Sequence, residues 1–348
     1  MNLSRRTALK ASAALAGMLF LVPLRSALAS SVRFAPEVLD RRKTLLASYR
    51  ETIRRIQGQS RLPIIDIEHH WGGNIPVKEL IDKMDRNDVA LTWLGPNERE
   101  GSQSSLDVCS QFPDRLVPTT IHGDGPLWHG RDLALVRKLH ADVLSGEYFA
   151  MGEFEARHYV SSTNNRDIHM PLDAESFHGV FKAAEVSGTA FLLHHEAEDA
   201  LLPELEKMLS LHPRANVVWC HVGRNRNPKT WKEFPSVEGV RRFIKTYPNL
   251  YFDIVQGGPK SVFPPTGARE AILYRDREPA SLRSEWIQLL NEFPERFLIG
   301  SDINTGRWQN YDKLMQRFRV SVLGSVNSEA AEKIAFKNAW RLMGGEEW

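Results

Sequence analysis

From Pro36 to Ile56 the apolar positions return at helical spacing. Leu39, Leu46 and Ile53 lie seven apart, and Leu45, Tyr49 and Ile56 widen the stripe. This predicts an amphipathic helix that packs on the outside or base of the main domain. Beyond it, short apolar runs alternate with segments of helical period. The strand-like runs are PIIDIEHH, DVALTWLG, LVPTTIHG, YFAMGEFEARHY, TAFLLHHEAE, NVVWCHVG, NLYFDIV and RFLIGSD. Segments such as PVKELIDKMDR, RDLALVRKLHADVL, DALLPELEKMLSLH and YDKLMQRFRVSVL follow most of them. Most runs lack in/out alternation, as expected of strands covered on both faces. Eight such units in about 280 residues predict an α/β fold, a (β/α)8 TIM barrel. An open doubly wound sheet is the alternative, but it would want a Gly-rich phosphate turn after an early strand, and none is present.

The polar residues support the barrel independently. Functional side chains of a barrel sit at the C-terminal ends of its strands. Here His70 ends the first strand, His122 follows the third, and Glu153, Glu155 and Arg157 end the fourth. His194, His195 and Glu196 end the fifth, His221 the sixth and Asp302 the eighth. At the opposite ends only Asp88, Asn216, Asn249 and Arg296 are polar, and they read as turn residues. On the first strand, alternation puts Asp66, Glu68 and His70 on one face and Ile65, Ile67 and His69 on the other.

Composition changes the picture at the N-terminus. Arg5-Arg6 precede an apolar stretch from Ala11 to Leu24, and Ala27-Leu28-Ala29 supplies a small-x-small cleavage site. Residues 1–29 therefore read as a twin-arginine export signal, which predicts a periplasmic or secreted protein. The stretch is shorter than the ~20 residues a membrane span needs and contains Pro23. Residues 30–60 carry the N-terminal helix and 61–348 the barrel. Removing the four basic residues of the signal (Arg5, Arg6, Lys10, Arg25) turns the formal net charge of +2 into −2. No basic excess remains for nucleic acid, and no later segment is apolar enough for a membrane. The two cysteines, Cys109 and Cys220, are too few for a disulfide framework, and Cys220 reads as a small core residue. There is no Gly-x-Ser-x-Gly and no Cys/His pair at a strand end, which argues against a Ser or Cys nucleophile. The oligomeric state stays open.

The strand ends together resemble the amidohydrolase superfamily, in its amidohydrolase-related (amidohydrolase 2) branch, over about residues 60 to 345. The motifs are Leu192-Leu193-His194-His195-Glu196 on the fifth strand, Cys220-His221-Val222-Gly223-Arg224 on the sixth and Ile299-Gly300-Ser301-Asp302 on the eighth. The segment AEKIAFKNAWRLMG, with Asn338 and Ala339, resembles the family's C-terminal closing helix. The departure is Asp66-Ile67-Glu68-His69-His70, where Glu68 stands at the position of the usual first His.

The resemblance implies a metal-dependent hydrolase acting on an amide, ester or lactone of a small molecule. Its metal ligands would be Glu68, His70, His194 and Asp302, and its catalytic residues Asp302, as proton acceptor and donor, and His221, as ligand or oxyanion partner. A carboxylate in place of an imidazole adds a negative charge to the ligand set. This weakens the Lewis acid, and it favours either a higher working pH or Mn over Zn as the divalent metal. The polar stretch GEFEARHYVSSTNNRDIHMP offers Glu153 and Arg157 as substrate contacts, with Glu155, His158, Arg166 and His169 nearby; Arg224 is a second anion contact. Two other readings stand beside this one: a metal-dependent decarboxylase, and a binding barrel with a degraded site.

Overall fold

The computed structural model describes residues 34–73, 75–160 and 167–348. The expected export signal lies outside these residues. Eight parallel strands run in chain order: β1 (Ile64–Trp71), β2 (Val89–Pro96), β3 (Leu116–Pro118), β4 (Ala150–His158), β5 (Ala190–His195), β6 (Val217–Trp219), β7 (Leu250–Asp253) and β8 (Phe297–Leu298). They form two arcs, β1–β2–β3 and β4–β5–β6–β7–β8.

Backbone bonds join the arcs into a ring. At one seam the Phe149 N–H donates to the Pro118 carbonyl (2.9 Å), and the Gly123 N–H to that of Glu153 (2.7 Å). At the other, the N–H groups of Ile67, Asp302 and His70 donate to the carbonyls of Ile299 (3.0 Å), Glu68 (2.8 Å) and Ile303 (2.8 Å). The second seam runs through the ends of β1 and β8, so closing the barrel also brings their polar residues together. The fold is a (β/α)8 barrel, as the strand count predicts.

Each strand is followed by a helix that covers its outer face; Val77–Arg86 follows β1 and Tyr311–Arg317 follows β8. The strands are buried on both faces, which explains their unbroken apolar runs. The amphipathic helix spans Pro36–Gln57, and its buried Tyr49 donates to the Leu116 carbonyl at the start of β3 (3.1 Å), so it packs at the base. The C-terminal helical segment from Ser328 to Gly344 is tied to the base of β8 by Asn338, whose amide donates to the carbonyls of Pro294 (2.7 Å) and Phe297 (2.8 Å). No helix among the described residues is long and apolar enough to cross a membrane.

Register shifts interrupt the ladders in β1, between Ile64 and Ile65 and between Asp66 and His69, and in β4, between Met151 and Phe154 and between Glu155 and Arg157. Bulges re-aim side chains, and both strands carry the acids of the site.

Candidate active site

Glu68 and His70 leave β1 towards the barrel axis. Glu68 is 1% exposed, and neither carboxylate oxygen has a hydrogen-bond partner among the described residues. It lies against β8 where Gly300 has no side chain; a Cβ there would sit 2.9 Å from the Glu68 Cβ. Burial first, then the charges of Asp253 and Glu153, push the Glu68 carboxyl well above the usual carboxylate range. Asp66 lies deeper, where its Oδ1 accepts the Ser301 N–H (2.7 Å), and burial raises its pKa to about 7. His69 faces the other way, edge-on to Trp308 with ring centroids 6.1 Å apart, and burial lowers its pKa to about 3.

His70 Nε2 faces three carboxylates: Asp302 Oδ1 at 3.2 Å, Glu153 Oε2 at 3.4 Å and Glu68 Oε1 at 3.7 Å. Burial opposes a charge on this ring, yet Asp302, Glu153 and Glu68 together raise its pKa well above the ordinary value.

Glu153 is the hub. Its Oε1 lies 2.8 Å from His194 Nδ1 and 3.4 Å from His221 Nε2, while its Oε2 faces His70. Its N–H donates to His122 Nδ1 (2.6 Å), and the His122 ring stacks on His70 with centroids 4.0 Å apart. His122 thus orients both neighbours. Gly152 makes the bend: its φ is +78°, and a Cβ would lie 2.6 Å from the Phe154 ring and 2.9 Å from the Leu192 carbonyl. Burial works against the Glu153 charge, but His194, His221 and His70 hold its pKa well below the usual range. Conversely, despite its burial, His194 is raised to about 9, chiefly by Glu153.

His221 sits in an unusual turn. His221, Val222 and Gly223 all have left-handed φ (59°, 54° and 60°). Non-glycine residues in this region store strain that the surroundings must offset. Asp253 at the end of β7 supplies that support, accepting the N–H groups of His221 (2.9 Å) and Val255 (2.7 Å). Asp302, also left-handed at φ 50°, is held by Arg307 through two bonds of 2.6 and 2.7 Å. Burial would raise its pKa, but Arg307 and His70 hold it well below the usual carboxylate value.

These groups open onto a cavity of about 900 Å³, lined among others by His70, Glu153, His194, His221, Arg224 and Asp302. The structure therefore brings Glu68, His70, His194, His221 and Asp302 together. Glu153, expected to meet substrate, lines the cavity and also lies among the histidines. One residue differs from expectation. Arg157, expected as a carboxylate fork, does not line the cavity: the second β4 register shift turns it to Glu198 and Asp167, and its guanidinium lies 3.8 Å from the Tyr159 ring centre. Arg166 lies outside the described residues. The readings from sequence placed His122 at a strand end without giving it a role, and passed over Asp253 and Arg307. His122 and Asp253 carried the signal of a polar residue at a strand end; Arg307 carried none.

Among the described residues the donor atoms form four overlapping sets, and two of them together hold every expected ligand. Atoms of Glu68, His70, Glu153 and Asp302 lie within 4.8 Å of one another, and so do atoms of Glu153, His194 and His221. The orphaned oxygens of Glu68 and the orphaned His70 Nε2 are what a divalent cation would satisfy, and the mix of imidazole and carboxylate is its donor chemistry.

The amidohydrolase family model matches residues 135–345, more than half of the chain. The chain belongs to the amidohydrolase family. It is an enzyme, a metal-dependent hydrolase of amidohydrolase type, and the reading of a degraded binding barrel falls. The match begins beyond β3; Glu68 and His70 precede it, and the β1–β8 seam brings them to the site. Among solved structures, an amidohydrolase from Burkholderia multivorans with bound zinc is 15% identical, over 80% of this chain and 98% of that one, with a TM-score of 0.51. A mutant organophosphorus hydrolase is 12% identical over 81% and 92%, with a TM-score of 0.50. A probable 2-pyrone-4,6-dicarboxylic acid hydrolase from Acinetobacter baumannii is 16% identical over 81% and 99%, with a TM-score of 0.48. At these identities the first two speak for the fold. No curated protein matches the sequence.

Proposed function

We propose that this amidohydrolase is exported and cleaves an amide, ester or lactone bond of a small molecule. The observation that carries this reading is the convergence of Glu68, His70, Glu153, His194, His221 and Asp302, from the ends of β1, β4, β5, β6 and β8, beside one cavity. Glu68, His70, Glu153 and Asp302 would hold a metal, and His194 would join through the neighbouring set, which shares Glu153. A bound divalent metal supplies Lewis acidity, which polarises the scissile carbonyl and acidifies water.

The chain's own residues do the rest. Asp302, kept ionised by Arg307 and His70, accepts the proton of the attacking water and returns it to the leaving atom. His221, fixed by Asp253, directs Nε2 towards Glu153 and His194 and is positioned to bond the developing oxyanion. Three carboxylates in the donor set favour an oxygen-tolerant ion such as Mn over Zn. The Arg5-Arg6 signal supports export, and a mature N-terminus at residue 30 is its check.

The decisive experiment pairs elemental analysis of the purified protein with Asp302→Asn. The wild type should hold a divalent metal and place isotopic oxygen from water in its product. Asp302→Asn should lose activity by about 10²-fold or more. Carbon dioxide release without water incorporation would turn the reading to decarboxylation. Zinc retained through dialysis, with full activity at neutral pH, would overturn the choice of metal.

A further inference from the structure

Four guanidinium groups line the cavity: those of Arg224, Arg226, Arg307 and Arg317. Three are engaged. Arg307 is matched to Asp302. Arg226 Nε faces Glu196 at 3.2 Å and Glu270 at 3.6 Å. Arg317 donates to the Gly257 carbonyl at 3.1 Å. Arg224 differs. It is 9% exposed and lines the cavity, its Nε is buried and unbonded like those of Arg226 and Arg307, and unlike theirs its guanidinium makes no hydrogen bond or ion pair among the described residues. The Glu196 carboxylate is committed to Arg226, facing its Nε at 3.2 Å and accepting its N–H at 2.8 Å. A buried cation without a counter-charge is costly unless something arrives to pair with it.

The backbone explains why the group is held there. The left-handed turn His221-Val222-Gly223 ends in a bond from the Arg224 N–H to the His221 carbonyl (3.1 Å). Gly223 is required in it, since a Cβ would meet Phe234 at 2.6 Å and Trp219 at 2.7 Å. One strained turn therefore positions a histidine of the donor cluster and, three residues on, a guanidinium without a partner, both facing one cavity.

We propose that Arg224 is the anion receptor of this enzyme, and that its substrates carry a carboxylate or equivalent planar oxyanion apart from the bond that is cleaved. This rests on the function proposed above and adds the class of substrate to it. The planar guanidinium offers two parallel N–H donors, which match a carboxylate in a way a point charge does not. Arg226, held by two acids, widens the positive wall without competing for the ligand.

The test is calorimetric binding of glutarate, and of its neutral diamide glutaramide, to the metal-loaded enzyme, with metal content measured for every variant. Wild type should bind glutarate. Arg224→Gln should weaken that binding roughly 10- to 100-fold, leave glutaramide unaffected and leave the metal content at the wild-type level. Should Arg224→Gln fail to fold, Arg224→Lys keeps the charge and loses the fork, and glutarate should then bind several-fold more weakly. No glutarate binding by wild type, or equal affinity in wild type and variant, overturns the proposal. Loss of hydrolysis or of metal in the wild type would overturn the hydrolase reading instead, while the glutarate comparison would still report on Arg224.

Discussion

Replacing Glu68 by Gln tests the physical logic of the cluster directly. Glu68, Glu153 and Asp302 each place a carboxylate oxygen within 4.8 Å of the others. At an effective dielectric of about 20, each ionised pair at that separation costs about 3.5 kcal/mol. Glu68 thus meets about 7 kcal/mol of repulsion from these two neighbours, and a protonated His70 at 3.7 Å returns about 4.5 kcal/mol. The difference favours the protonated acid, and burial and Asp253 act in the same direction. The metal-free site therefore favours the protonated form of Glu68, and a cation entering the site must expel that proton. Gln resembles the protonated acid in shape, so Glu68→Gln should leave the stability of the metal-free protein within about 1 kcal/mol of wild type. The variant should bind metal more weakly and release one proton fewer per metal bound. Calorimetric titration of Mn²⁺ or Zn²⁺ into chelator-stripped protein at about pH 6.5, in two buffers of unlike ionisation enthalpy, counts those protons. Equal proton release from wild type and variant would refute the reasoning.

Asp66 should impose a pH dependence of its own. Its pKa is raised from 3.8 to about 7, so between those values the native state binds a proton that the unfolded chain has lost, and stability falls as pH rises. The full effect is about 4 kcal/mol. Measured by urea unfolding of metal-free protein in the Glu68→Gln background, Asp66→Asn should flatten that fall, and an unchanged slope would contradict it. Gly152→Ala should destabilise by about 2–4 kcal/mol, from the left-handed φ and the contacts with Phe154 and Leu192. It should also reduce metal content by displacing Glu153; a variant with wild-type thermal stability and metal content would show that the β4 bend is not needed.

Much of this was legible in the chain itself. The eight apolar runs and their intervening helices are readable because burial on both faces demands unbroken apolar strands, and short connections demand neighbours in order. His70, His194, His221 and Asp302 are readable because a polar residue that ends such a run has no reason to be there as core. Glu68 stood out as a carboxylate in an imidazole's place. The direction of Arg157 was not legible, because a bulge in β4 shifts every residue beyond it.

What remained for the tertiary structure is the set of contacts between residues far apart in sequence. Glu153 is one of two acids in its strand until the bend at Gly152 sets it between His70, His194 and His221. His122 and Asp253 are single polar residues until one receives the Glu153 N–H and the other holds the turn at His221. Arg307 is one arginine among many until it grips Asp302, and Arg224, already named as an anion contact, stands apart from the other arginines only when they are seen to be engaged elsewhere. The one-dimensional pattern records which residues avoid water, because that preference belongs to each side chain. It does not record which charges face each other, because that depends on ring closure and local bends; those fix distances of a few ångströms, over which electrostatic energies change by several kcal/mol.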